Sequence, residues 1–156
     1  MRRRAEGTSG PVSDSVPAWL IGTWKLVSVL REDSRSGAEV DFFGPHPIGY
    51  ITYSADHRMM VVIARGDRRK PAGGRITPAE ADALMKSLVS YAGTFSIDGD
   101  EITHHVEVSW NESWTGTQQT RRFRLAGGRL MLETPPSPDP VDGAMSVRRM
   151  VWERPA

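Results

Sequence analysis

The sequence predicts an all-β domain, closed into an up-and-down antiparallel barrel of about eight or nine strands with one amphipathic helix. Three observations predict it. From Trp19 onward the hydrophobic pattern is mostly period two, in short runs bounded by Gly, Pro, Asp and Asn. One segment alone carries helix-start signals. The second half reads as a meander whose exposed strand edges closure would remove. At 156 residues the chain suits one domain with one core.

Residues 1–17, rich in Arg, Ser, Gly and Pro, hold little to bury and are expected to form a disordered or loosely attached tail, leaving 18–156 as the barrel domain. Trp24, Leu26, Ser28 and Leu30 alternate with Lys25, Val27, Val29 and Arg31, giving a first strand with one mainly apolar face. After a Gly/Pro loop at 44–47, Ile51 and Tyr53 share a parity, and Ser54-Ala55-Asp56-His57 turns the chain into Arg58 to Ala64. Arg65 to Arg75 is a Gly-rich basic loop, read as solvated rather than as a phosphate patch. Thr77-Pro78-Ala79-Glu80 combines an N-cap, a proline at the first helical position and a glutamate three residues past the cap. Ala81, Leu84, Met85 and Leu88 then make one face of a helix of about three turns, expected to close the barrel end or pack on its side. Gly93 marks its end or the strand after it. The remaining strands are Thr94 to Ile97, Glu101 to Trp110, Thr117 to Leu125, Arg129 to Thr134 and, past a Pro-rich loop, Met145 to Glu153.

Composition narrows the function. The formal net charge is +1, and Arg2, Arg3 and Arg4 set against Glu6 and Asp14 account for all of it, which argues against a nucleic-acid binder. Cysteine is absent, excluding a disulfide framework and a thiolate site or nucleophile. The apolar runs are too short to span a bilayer as a helix, and the arginine-led start has no apolar h-region, so a cytoplasmic protein is expected. No Gly-x-Ser-x-Gly elbow is present, and the Gly-Gly stretches lack the lysine and the strand–loop–helix setting of nucleotide loops. His104 and His105 point to opposite faces of a regular strand and cannot chelate one ion, so neither metal nor cofactor is expected.

Gly22-Thr23-Trp24, with Arg148 and Arg149 in the last strand, resembles the lipocalin arrangement, in which an arginine from the closing strand covers a glycine-x-tryptophan motif. More specific is the ordered series Gly22-Thr23-Trp24-Lys25-Leu26-Val27-Ser28, Phe43-Gly44-Pro45-His46-Pro47-Ile48-Gly49-Tyr50-Ile51-Thr52-Tyr53, Tyr91-Ala92-Gly93-Thr94-Phe95, His104-His105-Val106-Glu107, Trp114-Thr115-Gly116-Thr117-Gln118-Gln119-Thr120-Arg121 and Val151-Trp152-Glu153-Arg154. It is similar to the small bacterial and fungal lipocalin-like domain family over residues 18 to 155. The resemblance implies a lipocalin-like barrel with a helix near its mouth, and an association of some members with secondary-metabolite biosynthesis as isomerases or cyclases. His57 departs from it, standing where the family commonly has a turn glycine.

Parity selects the lumen residues. In Glu101 to Trp110 the even positions Ile102, His104, Val106, Val108 and Trp110 form the apolar face; Gln119 and Arg121 share a parity with Phe123 and Leu125 in the next strand. His104, Arg121 and Tyr53 are the candidate catalytic residues, with His104 as general acid/base or donor and Arg121 and Gln119 orienting a carbonyl, carboxylate or enol. The plainer alternative is a buried histidine satisfied by Gln119 or a tyrosine hydroxyl. Trp24, Ile51, Phe95, Val106, Trp110, Trp114, Gln119, Phe123 and Leu132 are the expected ligand-binding residues. The expected ligand is a small, largely apolar organic molecule, entering between the 44–50, 65–76 and 111–116 loops and the helix. It would be isomerised or cyclised without a cofactor; a carrier without chemistry or a filled barrel acting as an interaction module are the alternatives. Homodimerisation stays open.

Overall fold

In the computed structural model, which describes residues 15–138 and 142–156, these residues form ten strands, one α-helix and a short 3-10 turn at Glu112–Trp114. The strands are β1 (Gly22–Asp33), β2 (Glu39–Asp41), β3 (Ile48–Tyr53), β4 (Arg58–Ala64), β5 (Leu88–Asp98), β6 (Glu101–Ser109), β7 (Gln118–Ala126), β8 (Arg129–Glu133), β9 (Ser137–Pro138) and β10 (Met145–Glu153); the helix is α1 (Pro78–Lys86). Pairing runs β1-β3-β4-β5-β6-β7-β8-β10, and β10 returns to β1, so eight antiparallel strands close the barrel while β2 and β9 extend it at the rim. No helix among the described residues is long and apolar enough to cross a membrane. Most of the expected tail lies outside the described residues; Val16 packs against the core.

The register separates two barrel ends. The turns at 54–57, 98–101 and 126–129 gather at one, and the longer loops at 42–47, 65–77 and 110–117, with the chain leaving β8 at 134–136, at the other. The first end is sealed by fully buried Trp24, whose indole N–H donates to the Leu20 carbonyl, and by Trp19 stacked on Phe123. Arg154 finishes the seal: its guanidinium lies 3.8 Å over the Trp24 ring and donates to the carbonyls of Trp19, Ile21 and Thr23. The arginine that covers the glycine-x-tryptophan motif is thus Arg154, just past the strand, and not Arg148 or Arg149. Gly22 is required beneath it, because at φ +117° a Cβ there would sit 2.8 Å from the Arg154 Nη1. Arg154→Ala is expected to cost about 2 kcal/mol, from three net hydrogen bonds and one cation–π contact at a partly wet site; the urea-unfolding midpoint reads it.

His57 adopts φ +63°, the left-handed conformation that a glycine would take without strain. It is held there by its carbonyl accepting from the Phe95 N–H and by its ring packing on Phe95, so the turn keeps its shape and places a histidine at the sealed end.

Two bulges shift the parity read from sequence. Between Leu26 and Ser28 the β1–β10 register slips, so Val29 is buried instead of Ser28 and Leu30. Between Ala92 and Gly93 the β5–β6 register slips, turning Val108 outward to 61% exposure. Leu125, expected on the inner face, is also exposed, at the last turn of β7.

The helix departs from expectation more. Its capping box forms, Thr77 accepting from the Glu80 N–H and Glu80 from the Thr77 N–H. It runs nine residues only, and none is buried. Leu88, assigned to its apolar face, instead opens β5 opposite Ala64, and that pairing cuts the helix short. The helix rests on the basic loop, where the Ala72 N–H donates to Glu80, and none of its side chains enters the barrel core.

Candidate functional site

His104 sits in the middle of β6 facing the lumen and is buried. Tyr53, at the end of β3, places its hydroxyl 2.8 Å from the His104 Nε2, and Tyr91, near the start of β5, places its own 2.8 Å from Nδ1. A neutral imidazole has one N–H and one lone pair, so one tyrosine donates to the ring and the other accepts from it. The one that accepts keeps its O–H for a further partner. Burial, then the charges of Arg121 and His105, hold His104 down to about 3, so the ring is neutral across the physiological range. Burial raises both phenols above their ordinary value, and the Arg121 charge partly opposes this.

Beside this trio the open end holds a cavity of about 70 Å³, lined by Ile51, Val61, Ile63, Tyr91, His104, Arg121, Leu132 and Trp152 deep in the barrel and by Phe42, Phe43, Val89, Trp114, Thr134 and Arg148 toward the mouth. Ligand pockets commonly measure about 300–1,000 Å³, so this lumen takes a small fragment unless the mouth residues move. Arg121 reaches the Thr120 carbonyl at 2.9 Å and the Gln119 side-chain oxygen at 3.5 Å. Burial pulls its guanidinium below its ordinary value.

Of the residues expected to act, His104, Arg121, Ile51, Trp114 and Leu132 line this cavity, and Tyr53 reaches it through His104. Trp24, Phe95, Val106 and Phe123 are buried but lie away from it, in the packed lower half of the barrel. Gln119 braces Arg121 and does not line the cavity; although it pairs with His104 across the strands, the histidine takes tyrosine partners. Trp110 corrects another expectation: past the β6 bulge it faces outside, edge-on to Trp114, in a groove of about 590 Å³ bordered by Tyr50, Met60, Val62 and Val108. The entrance corrects one more, because the 44–50 loop, the 65–76 loop and the helix contribute no lining residue; of the expected entrance only the 111–116 loop does, through Trp114.

Tyr91 is the principal residue that sequence reasoning passed over. It shares the odd parity of Phe95 and Ile97, a signal hidden when the helix is read on toward Gly93 and the next strand is started at Thr94. Trp152, in the closing strand, is a lumen residue as well.

Comparison with known families matches residues 21–155 to a model described as a lipocalin-like domain. No curated protein resembles the chain closely enough to count as a relative.

Proposed function

Because the chain belongs to the lipocalin-like domain family, we propose that its lumen binds a small, largely apolar organic metabolite in the cytoplasm and isomerises or cyclises it without a cofactor. One observation carries this reading: a neutral histidine with both ring nitrogens engaged by tyrosine hydroxyls borders a cavity that is otherwise mostly apolar. No ring nitrogen of His104 is left for a ligand, so a proton it handles passes through a tyrosine. Tyr91 lines the cavity and Tyr53 does not, which makes Tyr91 the acid/base that meets the substrate and His104 and Tyr53 the groups that position it and relay its proton. With the Nδ1–H tautomer, His104 donates to the Tyr91 oxygen, and the Tyr91 O–H is free to donate to a substrate oxygen. Arg121 stabilises negative charge developing there. One proton is given and one taken back, so the change is mass-neutral. The rest of the rate enhancement comes from confinement, with Phe42, Phe43 and Trp114 yielding outward to admit a molecule larger than the resting cavity.

The test is chromatography and mass spectrometry of an organic extract of the producing organism, before and after incubation with substoichiometric protein. New peaks exceeding the protein added establish turnover, and His104→Gln is then expected to lower it by about 10²-fold or more with the barrel still folded. Depletion of one compound, recovered on denaturation at about one per barrel, makes the protein a carrier; no change to any compound counts against lumen binding altogether.

A further inference from the structure

Resting on the lumen-binding reading, we infer that the ligand is an organic anion, a small carboxylate or enolate whose oxygen is met by the Arg121 guanidinium and the Trp152 indole N–H. The charged side chains of the cavity wall are all cationic. Arg121 and Arg148 line it, and no Asp or Glu does. Arg149 on the outer surface shows how this chain usually satisfies a guanidinium, by pairing with Glu32, Glu39 and Glu133. Arg121 pairs with no carboxylate among the described residues; a backbone carbonyl and one amide oxygen are its acceptors, and a guanidinium has five N–H groups to place. An uncompensated cation held in a low-dielectric lumen is costly, and a bound anion removes that cost.

Trp152 supplies a second and independent sign. Its side chain is fully buried, it lines the same cavity, and its indole N–H has no hydrogen-bond partner. Buried donors of this kind are rare, and this one belongs to a cavity-lining residue that can only donate. Tyr91, when it accepts from His104, adds a third donor to the same space. Three donors from three strands, in a lining that is otherwise mostly apolar, fit one oxyanion carried on a small hydrocarbon. They do not fit an amine, which would find the Arg121 guanidinium, nor a plain hydrocarbon, which would leave the donors dry.

The experiment is a ¹H–¹⁵N NMR titration of the full chain with isobutyrate and with its neutral isostere isobutyramide. The reporter is the Trp152 indole signal, assigned through Trp152→Phe. Isobutyrate is expected to shift that signal and to bind about tenfold or more tightly than the amide, the ratio that one charge-assisted hydrogen-bonded pair provides. Arg121→Gln, checked for folding by its amide spectrum, is expected to bring the two affinities together. If that variant does not fold, Trp152→Phe serves, with the Ile51 and Leu132 methyls as reporters and a several-fold weakening for isobutyrate only. Equal binding of acid and amide to the wild type would overturn the anion inference and leave lumen binding standing, whereas no response of indole or methyls to either compound would overturn both.

Discussion

Acidification from pH 6.5 to pH 3 is expected to remove about 4 kcal/mol of stability through His104 alone. The folded barrel holds this imidazole down to about 3, chiefly because its charged form would be buried, while in the unfolded chain it titrates near the ordinary value of 6.5. Between those values the unfolded state binds a proton that the folded state does not. The contribution is therefore intact above pH 6.5 and is lost as the pH falls toward 3. Exposed carboxylates whose pKa the fold lowers, Asp33, Asp56, Asp67, Glu80 and Asp142, add acid lability of the same sign at lower pH. His104→Gln separates the histidine from them. At pH 7 the variant is expected to be less stable than wild type by about 2 kcal/mol, since two buried hydroxyls lose their partner. Urea unfolding at a series of pH values should show that gap closing near pH 5 and reversing by pH 4. A gap constant across the range would mean that His104 titrates as an exposed histidine, contrary to its sealed position.

Why His104, Tyr53 and Arg121 could be placed from the pattern, and Tyr91 and Trp110 could not, has a physical cause. Residues 101–106 and 118–123 form regular strand, where alternation fixes the face of every side chain. A bulge inserts one residue without a mark in the hydrophobic pattern, and beyond it every assignment inverts, as at Val108 and Trp110. The helix illustrates the opposite difficulty. Its start is written in local chemistry at Thr77 and Glu80, but its end is set by long-range pairing of Leu88 with Ala64, so apolar spacing ran the helix through the beginning of β5 and hid Tyr91. The covering arginine was ambiguous for a third reason: three arginines follow Met145, and which one reaches Trp24 depends on the close approach over Gly22, a property of the closed barrel. The size of the cavity depends on how the aromatic side chains at the mouth pack, which no spacing encodes.

Gly93→Ala is expected to cost about 3 kcal/mol or more, because the site has no room for even one carbon. At the β5–β6 bulge the extra residue of β6 bends its backbone over Gly93, and a Cβ there would overlap the His105 carbonyl oxygen and lie 3.0 Å from the Glu107 nitrogen. Both are backbone atoms held in the ladder, so neither can rotate away as a side-chain tip would. β6 must lift off β5 or lose the bulge. Losing the bulge shifts the strand beyond Val106 by one residue, sends Val108 inward and displaces Trp110 from the groove where it meets Trp114. Lifting the strand parts Tyr91 from His104, whose 2.8 Å hydrogen bond spans these same two strands just beyond the bend. Urea unfolding gives the stability loss, with Gly73→Ala as the control; that glycine has nothing within 4 Å of a built Cβ, and its replacement is expected to be near neutral. Where the Gly93 variant stays folded, loosening around His104 is expected to let water reach the ring, and its NMR titration should move from about 3 toward 6.5. A variant as stable as wild type, with His104 still silent above pH 5, would show that the bulge neither needs the glycine nor holds the histidine between its two tyrosines.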